Sequence, residues 1–219
     1  MSTNWSDVDA FIEQALPGDE IFAHALRASA DGGLPDIQVS APQGRLLNIL
    51  ALAVGARNVL EVGTLGGYST LWLARAVGPT GRVLTLEIDP RHADVAQENF
   101  RHARLDGRIE LRRGPALKSL EQLRAEAPPP LDFTFIDADK VNNLAYFRAA
   151  LALSRPGALI VVDNVVREGE IVEDDRDASA QASRELIQAV GKEARVTTTV
   201  IQTVGAKGHD GFLLARVGP

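Results

Sequence analysis

No cysteine occurs anywhere in the 219 residues, so disulfides, thiolate metal sites and cysteine nucleophiles are all excluded. Also missing is any apolar run near the roughly 20 residues that a membrane helix needs, so no membrane partner is expected. Met1 to Glu13 carries acids but no basic segment leading into an apolar one. A signal peptide is therefore not expected, and a cytoplasmic location is. Positive charge is in deficit as well: 23 Lys plus Arg against 29 Asp plus Glu gives a net −6. Such a chain lacks the broad positive field that recruits nucleic-acid phosphates, which leaves a small molecule as the expected partner. No internal repeat is present.

What is there is the balance of a soluble globular enzyme, 45% hydrophobic and 24% charged. The length suits one α/β domain over residues 1–219, with residues 1–41 forming an N-terminal helical segment and loop. From Trp5 to Ala30 apolar residues recur at helical spacing, and Pro17-Gly18 divides them into two short amphipathic helices. A third helix is expected from near Pro42 to Val54. Short β-branched runs follow at 58–62, 82–87, 108–111, 132–137 and 158–163. Helical stretches lie between them near 68–77, 91–103, 116–125 and 141–153. That alternation predicts βαβ units and a doubly wound, mostly parallel sheet. After a helix at 179–190, two runs at 196–203 and 212–217 are joined by a glycine-rich turn too short for a crossover. They are expected to be antiparallel neighbours.

Chemistry concentrates first at Val59-Leu60-Glu61-Val62-Gly63-Thr64-Leu65-Gly66-Gly67-Tyr68-Ser69-Thr70, a strand, a glycine turn and a helix start. Ligands of open α/β sheets gather at the carboxyl ends of strands, and this is the first such end. The dinucleotide pattern G-x-G-x-x-G, started at Gly63, would need glycines where Leu65 and Tyr68 stand. The loop therefore suits a nucleoside-like ligand but not a pyrophosphate. Glu61 precedes the turn, where its carboxylate could face a cationic amino-acid portion. Glu87 ends the next strand, 24 positions beyond Gly63, and an acid about 20 residues past such a loop is placed to accept from ribose hydroxyls. The plainer alternative is an ordinary βα turn with a helix cap.

Two further strands end in acids, Phe135-Ile136-Asp137-Ala138-Asp139-Lys140 and Val161-Val162-Asp163-Asn164. Neighbouring strands lie about 4.8 Å apart, so if these two are adjacent, Asp137 and Asp163 converge. With the Asn164 carbonyl they form an oxygen set suited to a hard divalent cation such as Mg²⁺. Helix capping is the bland reading of each acid alone. The four histidines assemble no site; His24, His92, His102 and His209 are expected to face solvent or bond locally. Glu168, Glu170, Glu173, Asp174 and Asp175 read as a solvated loop.

In the order and spacing of these landmarks, together with Pro42-Gln43-Gly44 and Gly114-Pro115-Ala116, the chain resembles the metal-dependent O-methyltransferases related to caffeoyl-CoA and catechol O-methyltransferases. The resemblance implies a Rossmann-like methyltransferase fold with its last strand antiparallel, and a homodimer. It also implies an S-adenosylmethionine site lined by Val39, Glu61, Gly63, Thr64, Ser69, Glu87, Ala116 and Asp137. Asp137, Asp163 and Asn164 would bind the divalent metal, and Lys140 would be the base beside the acceptor hydroxyl, with Asp137 its catalytic neighbour. Two positions depart from the family pattern: Asn143 stands in place of a tyrosine, and Arg167 in place of a tryptophan that shapes the acceptor pocket.

The reaction so implied is methyl transfer from sulfonium to a hydroxyl oxygen of a small, catechol-like acceptor. A metal holding two vicinal oxygens would lower the acceptor's pKa and orient it. An NAD-linked oxidoreductase and a non-catalytic S-adenosylmethionine-binding protein are the alternatives. The glycine spacing argues against the first; the acid cluster and Lys140 argue against the second.

Overall fold

The computed structural model describes residues 4–219. Three helices lead: α1 (Trp5–Ala15), α2 (Glu20–Asp31) and α3 (Ala41–Ala53). The alternating region follows as β1 (Asn58–Val62), α4 (Tyr68–Ala76), β2 (Arg82–Glu87), α5 (Pro90–His102), β3 (Ile109–Arg113), α6 (Ala116–Glu126) and β4 (Leu131–Ile136). It continues through α7 (Asn143–Leu153), β5 (Ser154–Asp163), α8 (Ala178–Val190), β6 (Val196–Gly205) and β7 (Gly208–Val217). Local chemistry sets many of the starts. Asp19, Ser40, Asp89 and Asp177 each turn a side-chain oxygen to a backbone N–H in the first turn of α2, α3, α5 and α8. Pro42 and Pro90 occupy first-turn positions where no N–H is needed.

The strands form one sheet in the order β3-β2-β1-β4-β5-β7-β6. The first five run parallel; β7 is antiparallel to both β5 and β6, as expected from the short connection between them. Because side chains alternate across a strand, the sheet divides the core in two. Val59, Phe133, Phe135 and Val161 pack toward α2–α5, while Leu60, Val62, Ile136, Ile160 and Val162 pack toward α6–α8. Covered on both faces, β4 is buried throughout. Among the described residues no helix is long and apolar enough to cross a membrane.

Several boundaries differ from expectation. Residues 140–142 form a 3₁₀ turn rather than the start of α7, with Asp139 holding the Asn142 side-chain amide. β5 starts at Ser154, pairing early with Leu131 across a register shift. The β6–β7 hairpin extends until only Ala206-Lys207 remain as its turn, flanked rather than filled by glycine.

Candidate active site

The chain runs outward from β1 to β3 and then returns to β4 on the other side of β1, which makes the β1–β4 boundary the topological switch point where such sheets bind ligands. Gly63 and Asp137 meet there. The Asp137 N–H donates to the Val62 carbonyl at 2.9 Å. Gly63 has φ +95°, and a Cβ on it would lie 2.0 Å from the Asp137 carbonyl oxygen, so no side chain fits. The glycine turn thus opens a cavity of about 720 Å³ at the carboxyl edge of the sheet.

Glu87 fastens this turn. Its Oε2 accepts the N–H groups of Thr64 at 3.1 Å and Leu65 at 2.8 Å, and its Oε1 accepts the Asp89 N–H at 2.9 Å. His92 Nδ1 lies 3.7 Å from the same carboxylate, a local partnership and not a surface position. Val39, Gly63, Thr64, Ser69, Glu87, Ala116, Asp137, Lys140 and Asn164 all line the cavity. Glu61 does not line it. Its side chain is fully enclosed and accepts hydroxyl donors from Ser69 at 2.6 Å, Thr85 at 2.6 Å and Thr70. Burial pushes its carboxyl up to about 7 despite those three hydroxyls, and the Asp137 charge adds to the rise. Glu61 therefore reaches the cavity only through hydroxyls: directly through Ser69, and through Thr85 to Thr64.

The second acid pair forms as the strand reading required. β4 and β5 are parallel neighbours with Ile136 opposite Val162, so Asp137 and Asp163 leave the sheet side by side. Asp163 is only 3% exposed. Its carboxyl is pushed up to about 7, by burial first and then by Asp137; the Lys140 charge, the Asn164 N–H at 2.8 Å and the Gln43 amide at 2.5 Å pull the other way. Lys140 Nζ ion-pairs with Asp137 Oδ1 at 2.9 Å and is largely buried. Asp163 lines a smaller adjoining cavity of about 250 Å³, shared with Val39, Asp137 and Asn164. Among the described residues no group of three or more His, Cys, Asp or Glu side chains could hold a metal ion. The set here is two carboxylates and one amide. A buried acid raised by desolvation and by its neighbouring carboxylate, beside an amide oxygen, fits a hard divalent cation.

Nothing in the spacing points to Gln43 on Asp163, although Pro42-Gln43-Gly44 stands out as a landmark; the contact spans 120 positions. Nor does the spacing point to Tyr146, whose hydroxyl donates to Asp139 at 2.6 Å on the cavity wall. The remaining histidines stay out of the site: His24 stacks on His102 with centroids 3.5 Å apart, and His209 meets Gln202 at 2.9 Å. The acids of residues 168–175 are exposed, as expected.

Comparison with known proteins agrees with this geometry. The O-methyltransferase family model matches residues 13–217. A catechol O-methyltransferase of Mycobacterium tuberculosis is 53% identical over 215 residues, covering 98% of this chain and 96% of that protein. The solved O-methyltransferase of Bacillus cereus in complex with SAH is 49% identical, with a TM-score of 0.95 and 98% of each chain covered. TomG of Streptomyces achromogenes, solved with SAM and involved in tomaymycin synthesis, is 43% identical with a TM-score of 0.95 over 100% of each chain. This family decides against an NAD-linked oxidoreductase, and against a mere binding protein: the chain belongs to the O-methyltransferases, and is an enzyme of that class.

Proposed function

We propose that this O-methyltransferase takes its methyl group from S-adenosylmethionine and delivers it to one hydroxyl of a vicinal diphenol, with a divalent metal at Asp137, Asp163 and Asn164. The observation that carries the reading is the meeting of three features at one switch point: the Glu87-fastened glycine turn, the paired strand-end acids, and Lys140 held against Asp137. The names of the M. tuberculosis and Niastella koreensis relatives, both catechol O-methyltransferases, support the acceptor class.

In this reading Val39, Gly63, Thr64, Ser69, Glu87 and Ala116 hold the cofactor, with Glu87 on the ribose hydroxyls. Ser69 gives its one hydroxyl proton to Glu61, so its oxygen faces the cavity as an acceptor, suited to the cofactor's ammonium. When bound, a cation such as Mg²⁺ supplies Lewis acidity and orients the two vicinal oxygens. Lys140 Nζ, after releasing one proton of its own to solvent, takes the proton of the reacting hydroxyl, and Asp137 beside it stabilises the ammonium that results. The bond from methyl carbon to sulfur breaks as that from carbon to oxygen forms, and sulfur keeps the electron pair. The same reading treats the chain as one methyltransferase domain pairing as a homodimer through α1, which buries no residue of its own and leaves Phe11 exposed.

The test is turnover of a panel of diphenols and monophenols with S-adenosylmethionine, read by product mass, with and without chelator. Vicinal diphenols alone should gain one methyl, and chelator should stop this until Mg²⁺ is restored. Turnover indifferent to chelator overturns the metal, and equal turnover of monophenols overturns the paired-oxygen acceptor.

A further inference from the structure

The charged side chains on the large cavity are, with one exception, already answered by the protein. Glu87 accepts three backbone N–H groups and has His92 beside it. Asp137 and Lys140 pair with each other, and Asp139 accepts from Tyr146 and the Asn142 amide. Arg167 lines the same cavity and differs. Its Nε is screened from solvent and has no hydrogen-bond partner, and among the described residues no carboxylate lies within ion-pair distance of its guanidinium. A half-buried guanidinium without a counter-charge is unfavourable unless a ligand provides one.

The backbone that carries this side chain is built, not slack. Arg167 and Glu168 both have φ +54°, a left-handed conformation that non-glycine residues adopt only when the surroundings impose it. Asp210 imposes it. Its Oδ1 accepts the N–H groups of Val166 at 3.0 Å, Arg167 at 3.0 Å and Gly211 at 2.9 Å. Gly211 permits the close approach, since a Cβ there would lie 2.7 Å from Val166 Cγ2 and 2.3 Å from the Ile201 carbonyl. Three positions before Arg167 stands Asn164, so the guanidinium sits next along the chain to the proposed metal ligands.

We infer that Arg167 selects the acceptor, and that the preferred substrates are vicinal diphenols carrying a carboxylate. The carboxylate pairs with the guanidinium while the two hydroxyls lie at the acid pair and Lys140. This deepens the diphenol reading and rests on it. Guanidinium and carboxylate match in geometry as well as charge, and such a pair inside a partly desolvated cavity outweighs one in water.

The experiment compares kcat/KM for a catechol acid and its methyl ester in the wild type, Arg167→Met and Arg167→Lys, with S-adenosylhomocysteine affinity measured alongside as a check on folding. Wild type should favour the acid about ten- to hundredfold, the range of a charge-assisted hydrogen bond. In Arg167→Met the acid-to-ester ratio should fall to about one, through the acid's KM, with S-adenosylhomocysteine binding retained. Arg167→Lys should keep part of it. Arg167→Glu should turn the preference toward a catechol amine. Equal use of acid and ester by the wild type, or a preference that survives in Arg167→Met, overturns the inference and leaves the diphenol reading standing. Failure to methylate any diphenol removes both.

Discussion

β4 carries an acid at each end, and the two live under opposite conditions. Asp132, at the amino end, accepts the N–H groups of Arg57 and Asn58, both at 2.8 Å, and pairs with Arg155. Burial alone would raise its pKa, but those donors outweigh burial and hold the carboxyl below its ordinary range. Beyond the carboxyl end lies Asp137, which adds to the rise of Asp163 beside it. One edge of the sheet spends its donors on its acid; the other leaves negative charge in excess. A fold closes its structural acids with its own N–H groups and keeps capacity free where a ligand must bind, so perturbed acids gather at the site.

The contrast predicts its largest effect at Lys140. Lys140→Ala should retain cofactor and metal binding yet lose about 10²–10⁴-fold in kcat, the usual contribution of a positioned general base. Raising the pH should restore part of the rate, because hydroxide then ionises the acceptor in bulk. A pH–rate profile with single-turnover measurements reads both effects, and wild-type kcat at neutral pH would reduce Lys140 to a companion of Asp137.

Glu87 comes next. Its three backbone bonds mean that Glu87→Ala removes the ribose acceptor and unfastens the turn together. Calorimetry should show S-adenosylhomocysteine binding weaker by about 1.5–3 kcal/mol, the cost of losing hydrogen bonds to a charged group. Unchanged affinity would detach the ribose from this carboxylate.

At the opposite edge the expected pattern reverses. Asp132→Ala strands two backbone N–H groups and should lower stability by about 2 kcal/mol in urea denaturation, with kcat unaltered. The partly exposed Arg155 adds little of this. A fall in kcat at saturating substrate, in a variant still folded, would break the division between the two edges.

How far sequence reached follows the same physics. β1 and β2 were legible to the residue, because each is a short run rich in Val and Leu set between helical stretches. The convergence of Asp137 and Asp163 was legible too, since adjacent parallel strands bring their ends together. Gln43, Tyr146 and His92 were not, because each meets its partner through a side-chain direction that spacing does not encode. Glu61 was seen but turned the wrong way. Residues 59, 61 and 85 share the face beneath α4, so its carboxylate meets the hydroxyls of Ser69, Thr70 and Thr85 before the cavity.

That placement yields the smallest prediction, in stability alone. An enclosed carboxyl raised from 4.5 to about 7 binds a proton more tightly in the folded chain than in the unfolded one. Below about 4.5 both states are protonated and the group's favourable contribution is full. Between there and about 7 the unfolded chain gives up its proton while the folded one keeps it, so stability falls as pH rises. Above about 7 the decline from this group ends. Melting temperatures in metal-free buffer from pH 5 to 8 should therefore slope downward more steeply in the wild type than in Glu61→Gln, whose amide does not titrate. The comparison is one of slopes, so it survives any constant loss from replacing a carboxylate that accepts three hydroxyls. Parallel slopes would mean that those three hydroxyls keep Glu61 ionised across the range, making it a satisfied acid of the same kind as Asp132.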